Sequence, residues 1–491
     1  MLPFSKIYWF SNWRTNIKFV ALTKTNQQRL ENHRGKIEQY GVVMEGMGLG
    51  PVAARVFVYL LFSQQDQATF DDMVSYFKVS KSAISNALKF LTAVNMMKQE
   101  VIFIHVETDQ IVIVPLANLP GWPEEMQMLQ HSWITPEEDQ LFISTDAMPP
   151  STASIILLHL KGIDWQGGKA SLEVRKIVKL DPSGTASKFP PVTQVDPEYP
   201  IPDWTRSPYT QSHGPTFMPR SPFTYITHLG DNRIRGLNYK TGQLIEADPM
   251  TFGNLSGQMH GINFSPSGEL ALGVGYFFDN NQIDIYKTDR KTGEVRLQSA
   301  VMLGTPEEYA AFTHFTHWID NRYAVTATMQ LGPTSITQDA EAKIIGPSVW
   351  LIDTKKATAT KIIGTAESAD DAGVYRSASD VAIAKGKLYV AEEDSLGEEY
   401  AREGFVAVYD FKDMNNPKFI KRLKPGVELP AGFRLGHALA VPLDESAVYV
   451  SSYVSNHIVK IDTANDQVVK VFTSEHGLDI PHGEFISGRM R

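Results

Sequence analysis

The chain has no cysteine among its 491 residues. That excludes disulfides, thiolate nucleophiles, zinc knuckles and iron–sulfur clusters, and leaves imidazole, carboxylate and thioether to hold any metal. No run of 18 or more apolar residues occurs, so no membrane-spanning helix and no membrane partner are expected. No secretory leader is expected either. The opening MLPFSKIYWFSNWRTNIKFVALTK is apolar in patches but interrupted by Lys6, Arg14 and Lys18, with no small-residue cleavage site after a clean apolar run. The expected location is the cytoplasm.

What is present is the composition of a soluble globular protein, 43% hydrophobic and 21% charged. The length exceeds what one ordinary core supports, so two or more domains are expected. Charge divides unevenly between them. Residues 1–99 carry 12 Lys and Arg against 6 Asp and Glu, a charge of +6, which leaves −15 for the rest of a chain whose total is −9. A basic head on an acidic body points the head towards a polyanion.

The head reads as helical. Residues 25–47 are polar and helix-favouring, and Pro51 suits the first position of a helix over VAARVFVYLLFS. TFDDMVSYFKV follows with Thr69 as N-cap and acids in its first turn. A further helix opens at Ser80. Its apolar stripe is Ala83, Ile84, Ala87, Leu88 and Leu91, and its opposite face carries Lys81, Ser82, Ser85, Asn86 and Lys89. Helix, helix, short turn and a helix with an outward polar face make a helix-turn-helix, whose last helix can enter the major groove of DNA. A small bundle with a solvated face fits the same pattern. Gly48-Leu49-Gly50-Pro51, Leu60-Leu61, Ser80-Lys81 and Ile84-Ser85-Asn86-Ala87-Leu88 resemble the winged-helix domain of the GbsR/MarR transcriptional regulators. The resemblance spans about residues 25–99. It implies a reader of double-stranded DNA, with Lys81, Ser82, Ser85, Asn86 and Lys89 at groove and phosphates. A homodimer is kept among the expected assemblies.

Residues 100–491 are a different kind of chain. Short alternating strands separated by Gly, Asn and Asp turns, such as IDIYKTDRKTGEVRL and VAVYDFKDMNNPKFIKRL, recur as outer hairpins. Each follows a strand that opens on the same kind of residue: His131, His213, His260, His317, Asp380, His437 and His482. The intervals run from 45 to 82 residues, which implies surface insertions in a four-stranded repeat. Seven such positions predict a mainly β fold, a seven-bladed β-propeller over 100–491 behind a winged-helix domain over 1–99. The last blade has one strand of its own and is expected to be closed by residues 101–116 pairing with 482–487. That assignment competes with reading the same hairpin as the head's wing, and the propeller is favoured.

The innermost strand of each blade lines the central channel, so residues at its start face one funnel. Six imidazoles there would suit copper, or less well nickel or zinc. A lone histidine before a propeller strand is more often structural; six at equivalent places weigh towards ligands. The pattern resembles the propellers of nitrous oxide reductase and thiocyanate dehydrogenase, in which histidines at the inner strand ends hold a multicopper centre. That resemblance implies His131, His213, His260, His317, His437 and His482 as copper ligands, with Asp380 as a further ligand or acid–base group. Arg376, Arg434, Glu484 and His314 also fall near the funnel. Asp380, Arg434 and Glu484 are the catalytic candidates, because a cation beside an anionic substrate and a carboxylate base suit small-anion oxidation.

Three functions remain open: a DNA-binding regulator whose propeller senses a metal or small molecule, a copper oxidoreductase of a small nitrogen- or sulfur-containing substrate, and a metal-free interaction scaffold. If the propeller alone is the functional unit, the periplasm replaces the cytoplasm as the expected location.

Overall fold

The computed structural model describes residues 7–14, 30–46, 51–62, 70–80, 83–84, 87, 98–116, 119–123, 128–146, 154–180, 212–228, 233–245, 250–251, 258–276, 282–305, 307–310, 313–329, 343–365, 373–374, 377–393, 404–452, 455–478 and 485–486. The chain divides into two compact units. One comprises Met1–Ser11, Val101–Val114 and Leu129–Arg491; the other comprises Asn12–Glu100 and Pro115–Met128. The chain passes between the units four times, after residues 11, 100, 114 and 128, where the sequence reading expects a single division near residue 99. The first residues go with the β unit, and a segment after the hairpin goes with the helical one.

The β unit is a β-propeller. Six blades are each built on four antiparallel strands taken in chain order. The first runs Met128–Ile134, Gln140–Asp146, Ser154–Asp164 and Lys169–Lys179. Blade 2 begins at Ser212–Phe217, blade 3 at Gln258–Phe264, blade 4 at Thr313–Trp318, blade 5 at Ser377–Ala384 and blade 6 at Leu439–Ala440. Blade 2 adds the short strand Met250–Thr251, and in blade 4 the strand Lys343–Ile344 is left out and pairs with Glu308–Tyr309 instead. The seven-blade expectation is corrected in this respect: the motif at His482 opens no blade of its own. The two-residue strand Phe485–Ile486 instead joins a composite sheet ordered Ile111–Pro115, Lys98–His105, Ile7–Arg14, Phe485–Ile486. The hairpin and the C-terminal strand thus share a sheet, as expected, but the N-terminal strand lies between them, pairing Tyr8 with Ile486. The same finding corrects the wing: this hairpin belongs to a sheet of the propeller unit, since its alternating apolar residues have a core there.

Alternation explains the packing between blades. Val381, Leu388, Val390 and Ala407 of blade 5 meet Val325, Val349 and Leu351 of blade 4. Ala382, Tyr389, Val406 and Val408, one residue out of step, face Val448, Val450 and Val459 of blade 6. The central strands of blades 5 and 6 are mostly apolar on both faces because each has a sheet on either side. The composite sheet obeys the same rule: Ile102 and Ile104 pack on Tyr449 and Ile458 of blade 6. Lys460 reaches across from blade 6 to Asp109 at 2.7 Å and to the Val106 carbonyl at 2.6 Å. On its other side, the tip of the outer hairpin of blade 1 sets Trp165 edge-on to His105, ring centroids 4.9 Å apart.

The helical unit contains Arg34–Gly46, Pro51–Phe62 and Phe70–Phe77, with Pro51 at the first helical position as read from the sequence. Its core gathers Leu30, Ile37, Val56, Phe57, Tyr59 and Met73. Tyr59 packs on Tyr76 at 4.7 Å, and Arg34 lies over the Tyr76 ring at 3.9 Å. The start of the next helix is visible where Ser80 accepts the Ala83 N–H, an N-cap contact. Ile84 and Ala87 are buried, as the apolar stripe predicts. Lys81, Ser82, Ser85, Asn86 and Lys89 lie outside the described residues.

Candidate functional site in the propeller funnel

In blades 2 to 5 the innermost strand carries a one-residue bulge near its start. The register shifts between Ser212 and Pro215, Met259 and Gly261, Thr313 and Thr316, and Ala378 and Asp380. A bulge re-aims the side chain it carries and is favoured next to functional sites. The residues in it are His213-Gly214, His260, His314-Phe315 and Ser379. The turn that ends the strand gives the same equivalence. Met218, Ser265 and Ile319 each open a turn, bonding Phe223, Leu270 and Tyr323 at 2.8–2.9 Å. His213, His260 and His314 each stand five residues earlier.

The register therefore makes His314, and not His317, the blade 4 counterpart of His260. It also makes Ser379, and not Asp380, the residue at that place in blade 5. In blade 5 the difference is the one extra residue of the bulge; in blade 4 it is three residues, because the sequence offers two histidines and the one nearer the turn is not at the bulge.

His131, His260, His314 and His437 are all buried. The His260 and His314 rings lie with centroids 4.2 Å apart, and His314 and His437 with centroids 4.7 Å apart. The Nδ1 of His260 is 2.9 Å from the carbonyl of His314. A carbonyl only accepts, so Nδ1 carries the proton and Nε2 is the ring's lone-pair nitrogen. Burial, reinforced by the imidazoles of His314, His131 and His437, holds the His260 pKa well below the usual histidine value of 6.5. The ring is neutral at neutral pH.

His317 and Asp380 do something else. The Nε2 of His317 is 2.7 Å from Oδ1 of Asp380, which also accepts the Val381 N–H at 2.8 Å. Oδ2 of Asp380 accepts the Leu439 N–H at 2.9 Å. This buried carboxylate thus joins blades 4, 5 and 6. Ser379 adds a second stitch, its hydroxyl donating to the carbonyls of Gly436 and His437 at 2.6 and 2.8 Å. Thr227 does the same between blades 2 and 3, donating to the His260 carbonyl at 2.8 Å. These hydroxyls adjoin the cluster and are absent from the sequence reading; Thr227 stands at the end of a second strand, and Ser379 at the bulge of a first strand.

Among the other expected residues, Arg434 is exposed; its N–H donates to the Ser455 hydroxyl at 3.2 Å and its carbonyl accepts from Ser452. The backbone of His213 lies in the first strand of blade 2. Its side chain, and Arg376, His482 and Glu484, fall outside the described residues. Among the described residues no group of three or more His, Asp or Glu side chains surrounds a single point as metal ligands do, and no helix is long and apolar enough to cross a membrane.

No known protein family matches the chain, and no curated protein matches it. Solved structures do. A functionally unknown protein from Desulfotomaculum acetoxidans is 12% identical over 79% of this chain and 95% of its own, with a TM-score of 0.50. A protein from Lactobacillus plantarum is 12% identical over 79% and 94%, with a TM-score of 0.51. A candidate 6-phosphogluconolactonase from Bacteroides uniformis gives the same values, 12%, 79%, 94% and 0.51. At such identity the likeness carries the fold alone, and that fold is the β-propeller.

Proposed function

We propose that the funnel of this propeller is a ligand site built on His131, His260, His314 and His437, that its ligand is a transition-metal ion, copper first, and that the chain is an oxidoreductase acting on a small nitrogen- or sulfur-containing molecule. The observation that carries this reading is His260. Its Nδ1–H is fixed on a backbone carbonyl and its ring is neutral, so the lone pair of the ring sits on Nε2. Proteins orient an imidazole for a metal in this way. A set of buried imidazoles without thiolates suits copper over the harder cations. The rings now pack against one another, so loading would draw them into a common sphere.

When bound, copper would supply one-electron chemistry and polarise a substrate. The chain's own residues do the rest. Ser379 and Thr227 hold the backbone of the histidine strands by their carbonyls. Asp380 fixes His317 at the rim of the cluster, where that half-buried ring can hold or pass a proton. Arg434 and Glu484 are the proposed cation and carboxylate facing a small anion. His213 and His482 extend the donor set. The composite sheet contacts blade 6 through Lys460 and blade 1 through Trp165.

Metal analysis of the full chain after copper reconstitution tests the proposal. Stoichiometric copper that is lost in His260→Ala/His437→Ala supports it. A wild-type protein that stays metal-free rejects it in favour of a metal-free scaffold.

One observation favours a second function for the helical unit. The buried Ile84 and Ala87 and the Ser80 cap fit a helix that turns Lys81, Ser82, Ser85, Asn86 and Lys89 outward. We infer a helix-turn-helix DNA reader there. A salt-dependent shift of duplex DNA by the full chain, abolished in Lys81→Ala/Lys89→Ala, is the expected result, and no binding at low salt sinks it.

A further inference from the structure

Asp284 stands in the third strand of blade 3, Gln282–Asp289, between two residues that face blade 4. Ile283 and Ile285 pack there with Leu272, Val274, Trp350 and Ile352. Asp284 and Tyr286 take the opposite face, where Tyr286 joins Tyr225 and Ile234 of blade 2 and Ile262 and Phe264 of blade 3. The carboxyl is fully buried in this apolar seam. Oδ2 accepts the Tyr286 hydroxyl at 2.7 Å, and Oδ1 has no partner among the described residues.

We propose that Asp284 is a proton-binding site between blades 2 and 3, a carboxyl that is neutral when the seam is tight and that loosens the seam when it ionises. A buried carboxylate needs a cation or several donors, and this one has a single phenol. Among the described residues, the groups around it offer nothing more. On its own strand only Tyr286 donates. From blade 2, Tyr225 spends its hydroxyl on the Gly293 carbonyl, and Arg235 lies on the other face of its strand, beside Ile226 and Leu237. The second strand of blade 3, Leu270–Tyr276, has no charged residue. The outer strand carries Glu294 and Arg296 paired with each other at its far end, while Asp284 is in register with Ala300. On the first strand His260 is neutral.

Burial raises the carboxyl to a pKa of about 6, against a smaller lowering by the Tyr286 hydroxyl. The folded value thus lies above the ordinary 3.8. The folded state binds the extra proton, so the contribution is fully present below about pH 4 and is lost as the pH rises through about 6.

The test compares urea unfolding of wild type, Asp284→Asn and Tyr286→Phe between pH 4 and 8. The asparagine variant should gain on the wild type as the pH rises, by about 100-fold in the unfolding equilibrium constant at pH 8 relative to pH 4. Tyr286→Phe, which removes the one donor, should steepen the wild-type dependence. Parallel profiles of wild type and Asp284→Asn would overturn the proposal. Should Asp284→Asn fail to fold, infrared spectra of the wild type decide: a protonated-carboxyl band at pH 5 that vanishes at pH 8 supports it, and no change in that band contradicts it.

Discussion

The two ends of the blades are held together by different chemistry. Where the innermost strands begin, adjacent blades are joined by buried groups: His260 on the His314 carbonyl, His317 on Asp380, Asp380 on the Leu439 amide, and Ser379 on two carbonyls. At the opposite end the joints are ion pairs in the turns. Lys387 holds Asp466, Lys460 holds Asp109 and Lys240 holds Glu137, each open to water to some degree. Where both partners are exposed, as in Lys240–Glu137, such a pair is a cheap joint because water already solvates them. Burying neutral imidazoles and a carboxylate costs desolvation, and a ring that needed only closure could be tied by turns alone. The difference locates the specialised end of the molecule.

The sharpest contrast comes from the most buried charge at the funnel end. Arg422 bonds both oxygens of Glu392, at 2.8 and 3.0 Å, and both side chains are almost fully enclosed. Arg422→Met strands the carboxylate and should cost about 3–5 kcal/mol in urea unfolding; a cost near zero would put this pair in the class of the turn pairs. His260→Ala should follow at about 2–4 kcal/mol, since it removes a buried ring and leaves the His314 carbonyl without its Nδ1–H. That loss carries a pH signature. A histidine held neutral below its ordinary 6.5 contributes stability that is present above pH 6.5 and lost as the pH falls below it. The wild type should therefore lose more stability between pH 7 and 5 than His260→Gln does, and equal slopes would count against a neutral buried ring. Asp380→Asn keeps the shape but weakens three bonds, for about 1–3 kcal/mol. At the other end Lys240→Ala, whose partner Glu137 is exposed like itself, should change the unfolding midpoint by less than about 0.5 kcal/mol.

Much of this was legible in the sequence, and the failures have one cause each. Hairpin turns and alternation make the propeller legible, but counting the repeated His or Asp predicts seven blades where six are built from strands in chain order. That residues 101–116 share a sheet with the last strand follows from the incomplete final repeat, but direct pairing does not, since Ile7–Arg14 lies between them. The N-terminal strand itself does not follow, since IYWFSNWR was counted with the basic head although its aromatic residues favour strands. His213, His260 and His437 are found by the repeat. His314 is not, because two histidines lie three residues apart in THFTHW and only the bulge decides which is equivalent to His260. Counting back from the turn, five residues from Ile319, would have chosen it.

That choice is also where the account is most exposed. His314 packs between His260 and His437, whereas His317 is bound to Asp380. Copper content and electron paramagnetic resonance of the reconstituted full chain, measured for wild type, His314→Phe and His317→Phe with unfolding curves to confirm folding, separate the two. Stoichiometric copper with nitrogen hyperfine structure in the wild type and in His317→Phe, and its loss in folded His314→Phe, is the predicted result. Copper that persists in His314→Phe and disappears in His317→Phe, or that never binds the wild type, would contradict it.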